Sequence, residues 1–175
     1  QRQMCIRDRN TLIDGKPVFF GATIEENLRK VQPGISEREF QEILEISGLQ
    51  KVLEQLPEGI STEINQFGMP LSQGDRVTLA LARGLMSGPR ILLIDEALAN
   101  LDKSGQISFF ENFAKISELK TVIMATHDLR STIKFEQIIV LDKGAAVGQG
   151  THDELLKTCP LYQELWAMEQ KLTGT

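Results

Sequence analysis

The sequence predicts an α/β domain with a mostly parallel sheet flanked by helices, and three observations carry that prediction. The run Ile91-Leu92-Leu93-Ile94 is short and continuously apolar, as is Thr121–Ala125, which suits strands covered on both faces. Stretches with apolar residues at helical spacing lie before, between and after these runs. Both strands then end in polar residues, Asp95-Glu96 and Thr126-His127-Asp128, and ligands of such sheets bind outside the carboxyl ends of the strands.

Taken in order, residues 1–9 (QRQMCIRDR) are basic and aperiodic, and resemble translated adapter sequence at the end of an assembled gene fragment. Residues 1–10 are therefore expected to be a foreign or disordered tail, with structure starting at Thr11. Ser36 with Glu39 three residues later is a capping box that opens a helix with Phe40, Ile43 and Leu44 on one face. Pro57 and Gly59 close the helical stretch around Val52–Leu56. A second helix starts at Ser72, carries Asp75 in its first turn and sets Val77, Ala80, Leu81 and Leu85 on one stripe until Gly88-Pro89 stops it. A third follows Asp102, with Ile107, Phe110, Phe113 and Ala114 expected to face inward. Gln137–Leu141 reads as another buried strand, and Lys143-Gly144 as a turn into a short strand, Ala145–Gly148. Thr151 with Glu154 is a second capping box, and Leu161–Leu172 a final amphipathic helix. His152, inside that box, reads as surface structure.

Composition narrows the function classes. With 175 residues, 41% hydrophobic and 25% charged, the chain can bury the core of one domain. A formal charge of −5 gives no basic footprint, so nucleic acid is not an expected partner. No apolar run approaches the roughly 18 residues needed to cross a bilayer. Cys5 and Cys159 form neither a metal spacing nor a disulfide framework, which points to a reducing setting.

Two places could carry chemistry. Asp95 and Glu96, directly after a buried strand, face opposite ways and can divide labour: one carboxylate supports Mg²⁺, which prefers oxygen ligands, and the other polarises a water that attacks a phosphate. A strand that merely ends in solvated acids is the alternative. Ser72-Gln73-Gly74-Asp75 puts a hydroxyl, a glycine and unpaired N–H groups at a helix start, where anions are favoured; a plain Ser N-cap is the alternative. Gly74 would let a phosphate approach the backbone. His127 alone is more often a satisfied structural residue than a ligand.

In order and spacing, these segments resemble the nucleotide-binding domain of ABC transporters. Leu71-Ser72-Gln73-Gly74-Asp75 is similar to the signature L-S-G-G-Q, and Pro89–Glu96 to the Walker B strand. Ala97-Leu98-Ala99-Asn100-Leu101-Asp102 is similar to the D-loop, and Thr126-His127-Asp128 to the switch-histidine loop. Phe20–Leu28 and Thr62–Gly68 look like exporter segments after the Q-loop and before the signature. The resemblance implies a partial P-loop NTPase-type (ABC cassette) domain. It has a helical signature subdomain over 11–88 and the C-terminal part of the ATPase core over 89–175. It implies ATP and Mg²⁺ as ligands, a second nucleotide-binding domain in a head-to-tail dimer, the transmembrane domain of an exporter, and a place at the cytoplasmic face of the cell membrane. Glu96 would be the general base and His127 would contact the γ-phosphate. Asp95 would support Mg²⁺, Ser72, Gln73 and Gly74 would meet the partner's ATP, and Asp102 would report across the dimer.

The departures are as informative. No G-x-x-x-x-G-K-[ST] occurs in these residues, so the phosphate cradle is missing and the polypeptide alone is expected to be inactive. The Q-loop glutamine falls at Gly15, Gln73 replaces a signature glycine, Asp75 replaces the signature glutamine, and Gln66 stands where exporters commonly carry an acid. A degenerate regulatory cassette that contributes only its signature face is the first alternative. A soluble non-transport ABC ATPase is the second.

Overall fold

The structure, a computed structural model, describes residues 10–172. The tail expected over 1–10 lies outside the described residues except for Asn10, which opens the first strand. The chain divides into two compact units, one running to Ala125 and the other starting at Thr126.

The first unit is centred on a three-stranded parallel sheet of order β1-β4-β5, formed by β1 (Asn10–Ile13), β4 (Ile91–Asp95) and β5 (Thr121–Ala125). Ile13 pairs with Ile94 and Asp95 with Ala125, so the strands end level with one another. Residues 10–13 therefore share a sheet with residues 91–95, on the far side of the division expected at 88/89. Between β1 and β4 lie β2 (Ala22–Thr23), α1 (Ile24–Arg29), α2 (Glu37–Ser47), α3 (Leu49–Gln55) and β3 (Glu63–Ile64), which pairs antiparallel with β2. Then comes α4 (Gln73–Met86). The box at Ser36 forms as expected, and α2 ends at Gly48, whose φ of 79° lies in the left-handed region that glycine enters without penalty. Thr23 and Glu26 make a further capping box on α1. Asn27, fully buried there, accepts from the Phe20 N–H (2.8 Å) and donates to the Phe20 and Thr23 carbonyls (3.0 and 2.9 Å), so its whole amide is paired.

Helix α4 packs on β1 and on the helices before it, and the predicted Val77, Ala80, Leu81 and Leu85 are all buried. At Gly84 a Cβ would lie 2.9 Å from Leu92 Cδ1, so glycine sets how closely the helix approaches the strand. Arg83 is held to the segment before α1, donating to the Val18 carbonyl (2.8 Å) and lying 5.4 and 5.5 Å from the ring centres of Phe19 and Phe20. Burial lowers its guanidinium from the usual arginine value.

Three expectations need correction. The helix after Asp102 breaks at Asn112 into α5 (Lys103–Glu111) and α6 (Phe113–Leu119), so one continuous helical phase does not apply. Ile107 and Ala114 are exposed, whereas Phe109 and Ile116 are buried. Strand β5 is not covered on both faces: Ile123 is 55% exposed, while Val122 and Met124 pack against the core. Among the described residues β5 is a sheet edge, and an apolar run cannot say which of its faces finds a neighbour. Lys120, at its entrance, donates its ammonium to the Ser87 and Pro89 carbonyls, and burial holds it below the ordinary lysine value.

The second unit contains α7 (Leu129–Thr132), β6 (Ile138–Asp142), β7 (Ala145–Gly150), α8 (His152–Thr158) and α9 (Pro160–Leu172). Strands β6 and β7 form an antiparallel hairpin, and the turn residues Lys143 and Gly144 both have positive φ (47° and 81°), as a two-residue hairpin loop requires. The strand expected at 137–141 is buried on one side only: Ile138 and Val140 are covered, Ile139 and Leu141 exposed. His152 is not mere surface structure. Thr132 Oγ1 gives its proton to the Leu129 carbonyl (2.6 Å), so Tyr162 must donate to Thr132 (3.1 Å) and His152 Nδ1–H to Tyr162 (2.9 Å).

Candidate functional site

Strand β4 lies between β1 and β5, and its carboxyl end delivers Asp95 and Glu96 to the surface, both exposed. The backbone N–H of Glu96 donates to the Ala125 carbonyl (3.0 Å), which extends the β4–β5 ladder by one bond. Glu96 then turns with φ 49° and ψ 9°, a left-handed conformation. A non-glycine residue held there costs of order 1–3 kcal/mol, and such outliers gather at working sites. The chain continues as a 3₁₀ turn, Ala97–Asn100, closed by the Ala99 N–H donating to the Glu96 carbonyl (3.2 Å).

A cleft of about 410 Å³ opens at these strand ends, lined by Asp14, Gly15 and Lys16 after β1, Asp95, Glu96, Ala99 and Asn100 after β4, and Gln73 at the start of α4. The structure thus brings Gln73, Asp95 and Glu96 to one place. Ser72 is exposed and is the N-cap of α4. Its Oγ accepts from the Asp75 N–H (3.2 Å) and donates to Asp75 Oδ2 (2.6 Å), while the Ser72 N–H also donates to that oxygen (3.2 Å). This is a full capping box, with aspartate where the usual pattern has glutamate or glutamine. Asp75 therefore turns back on its own helix start and engages the serine hydroxyl.

Gly74 packs against the loop before α5. A Cβ there would lie 3.2 Å from the Asn100 carbonyl oxygen and 3.9 Å from the Asp102 nitrogen, so an internal close approach is the first demand on this glycine. Asp102, exposed, is the N-cap of α5 and accepts from the Gly105 N–H (2.7 Å). His127, also exposed, lies two residues beyond Ala125 along the chain, at the start of the second unit.

The donor set suits a hard cation that keeps much of its own shell. Among the described residues no group of three or more His, Cys, Asp or Glu side chains is arranged to enclose a metal. One exposed carboxylate at the strand end matches Mg²⁺, which takes one or two carboxylates and completes its octahedron with phosphate oxygens and water. Asp95 fits that role by chemistry.

Three cleft residues escaped sequence reasoning as participants. Asn100 was legible only as part of the run Ala97–Asp102, and Asp14 and Lys16 only as the residues on either side of Gly15. None has a periodic or spacing signal, and what places them in the cleft is the level ending of β1 and β4.

The family model described as ABC transporter matches residues 6–99. The chain is 29% identical over 169 residues to ATP-binding cassette sub-family B member 6 of Mesocricetus auratus, covering 97% of this chain and 20% of that protein. It is 36% identical over 154 residues to the glutathione/L-cysteine transport system ATP-binding/permease protein CydC of Escherichia coli (strain K12), covering 88% of this chain and 26% of that one. Among solved structures, a bacterial Atm1-family ABC exporter with ATP bound superposes with a TM-score of 0.86 at 30% identity, over 96% of this chain and 30% of that chain. The chain thus spans about a quarter or less of these curated relatives.

Proposed function

Because this chain belongs to the ABC transporter family, whose cassettes bind and hydrolyse ATP, we propose that it is the carboxyl-terminal part of the ATP-driven motor of an exporter. It works at the cytoplasmic face of the membrane, with a transmembrane domain and a second cassette as partners. The observation that carries this is the pair Asp95-Glu96 at the level ends of parallel strands, with Glu96 held in a left-handed turn beside a cleft.

In this reading Glu96 takes a proton from the water that attacks the γ-phosphorus, as the bond to the β–γ bridging oxygen breaks and ADP leaves. Asp95 would hold Mg²⁺, which would neutralise phosphate charge when bound. His127 contacts the γ-phosphate. The Ser72–Gly74 turn opens a 14-residue helix, with Ser72 and Gln73 exposed and Gly74 half-buried. It offers the Gln73 and Gly74 N–H groups to the triphosphate of the partner cassette, and the Ser72 hydroxyl once Asp75 releases it. Asp102 relays the state of one site to the other.

One observation favours a second reading, a degenerate regulatory cassette that contributes only its signature face, altered at Gln73 and Asp75. The Ser72 hydroxyl is already engaged by a carboxylate at 2.6 Å, and an anion there opposes a triphosphate.

The test uses these 175 residues against the full-length transporter. The purified chain should show no ATP turnover above a protein-free control, since no phosphate loop occurs in it, while the full-length protein hydrolyses ATP. Turnover by the chain that disappears on Glu96→Gln would overturn the assignment of half-sites.

A further inference from the structure

Gly15, Gln73 and Asn100 come from three separate segments and meet at one point of the cleft. Asn100 is bonded to Gln73 there and closely approached by Gly15 and Gly74. Its Oδ1 accepts from Gln73 Nε2 at 2.6 Å. Its backbone carbonyl faces Gly74, where a Cβ would stand 3.2 Å away. Its Nδ2 lies where the side chain of residue 15 would begin: a Cβ on Gly15 would be 2.8 Å from it. Residue 15 is where the resemblance places a glutamine, and residue 73 is where it places a glycine. Both departures touch the same asparagine.

We propose that Gln73 and Asn100 are positioning residues for ATP hydrolysis, joined in a latch that fixes the start of α4 to the turn following Glu96, and that Gly15 is glycine to admit it. This inference rests on the functional reading above and adds a physical connection within one chain. Asn100 ends the 3₁₀ turn whose first bond is to the Glu96 carbonyl, so the latch is four residues from the left-handed backbone that presents the base. Movement of the signature turn on nucleotide therefore reaches Glu96 through one side-chain bond and one short turn. The same geometry says that the departures compensate each other: a side chain at 15 and an amide at 100 compete for the same space.

The test is a mutant cycle in the full-length transporter with Gly15→Ala, Gln73→Gly, Asn100→Ala and their pairs. Gln73→Gly and Asn100→Ala should each lower kcat by about three- to tenfold, the effect of losing one hydrogen bond, with KM for ATP within about twofold. The Gln73→Gly/Asn100→Ala pair should fall no further than either single variant. Gly15→Ala should lower kcat by a similar factor when Asn100 is present and hardly at all with Asn100→Ala. Multiplicative losses, or a Gly15→Ala penalty that is the same in both backgrounds, would overturn the latch. Amide hydrogen exchange over residues 96–106 reads it independently of turnover. Gln73→Gly and Gly15→Ala should each speed that exchange; unchanged exchange sinks the latch while leaving the ATPase assignment standing. Faster exchange in a full-length protein that hydrolyses no ATP sinks the assignment and leaves the latch.

Discussion

Replacing Glu96 by glutamine in the full-length transporter should lower kcat for ATP by about 10²–10⁴-fold, the range for removal of a general base. ATP binding should persist. Glutamine has the shape of glutamate and can hold a water, but it cannot accept the proton that must leave that water. Glu96 is exposed and its backbone is fixed by the bond to Ala125, so the substitution empties no core and need not disturb the fold. The left-handed φ of 49° is retained at the same cost. Steady-state turnover together with equilibrium binding of labelled ATP checks both halves. Normal turnover would remove Glu96 as the base, and lost binding would mean that it serves the site structurally.

The largest structural effect should come from Leu92→Ala. Leu92 is fully buried as the second residue of β4, and its Cδ1 fills the space left at Gly84 on α4. Truncation removes the transfer energy of the missing carbons and leaves a cavity between helix and sheet, a combined cost of about 2–5 kcal/mol. A domain commonly holds only about 5–15 kcal/mol in reserve, so this is a large share. The urea midpoint of the purified protein should fall clearly with little change in slope. ATPase activity of the full-length transporter carrying the same substitution should also fall, because β4 carries Asp95 and Glu96. An unchanged midpoint would contradict the packing of α4 on β4.

Local signals in the sequence translated directly into structure. Ser36 and Thr151 cap their helices as the spacing of hydroxyl and acid implied, Ser72 caps the helix it was expected to open, and Gly88-Pro89 lies just beyond α4. The box at Thr23 carried the same signal, Thr-Ile-Glu-Glu, inside a segment otherwise read for its resemblance. Faces were less legible. Apolar runs at 121–125 and 137–141 are strands, but coverage depends on which elements lie beside them, and that is fixed by distant segments. The stretch after Asp102 was legible in part: Phe110 and Phe113 pack against the core as expected, while Ile107 and Ala114 are exposed, and the restart at Asn112 shifts the phase only for Ala114. Within the candidate site, the acids at the end of β4 were visible because a strand end is a local feature. The bond between Gln73 and Asn100 spans 27 residues, and no pattern in either segment announces it. The engagement of Ser72 by Asp75 was partly visible, since serine and acid stand three apart, yet aspartate is one carbon shorter than the usual partner.

The central claim is that one chain divides its work, with Glu96 acting on its own nucleotide and the Ser72 turn acting on the neighbour's. Two full-length transporters fused in tandem test it, with Ser72→Glu and Glu96→Gln placed either on the same copy or on opposite copies. On opposite copies both lesions fall in one composite site, and turnover at the other site should continue at about half the rate of the unmodified pair. On the same copy each lesion disables a different site, and turnover should vanish. Equal or greater activity with both lesions on the same copy would contradict the account.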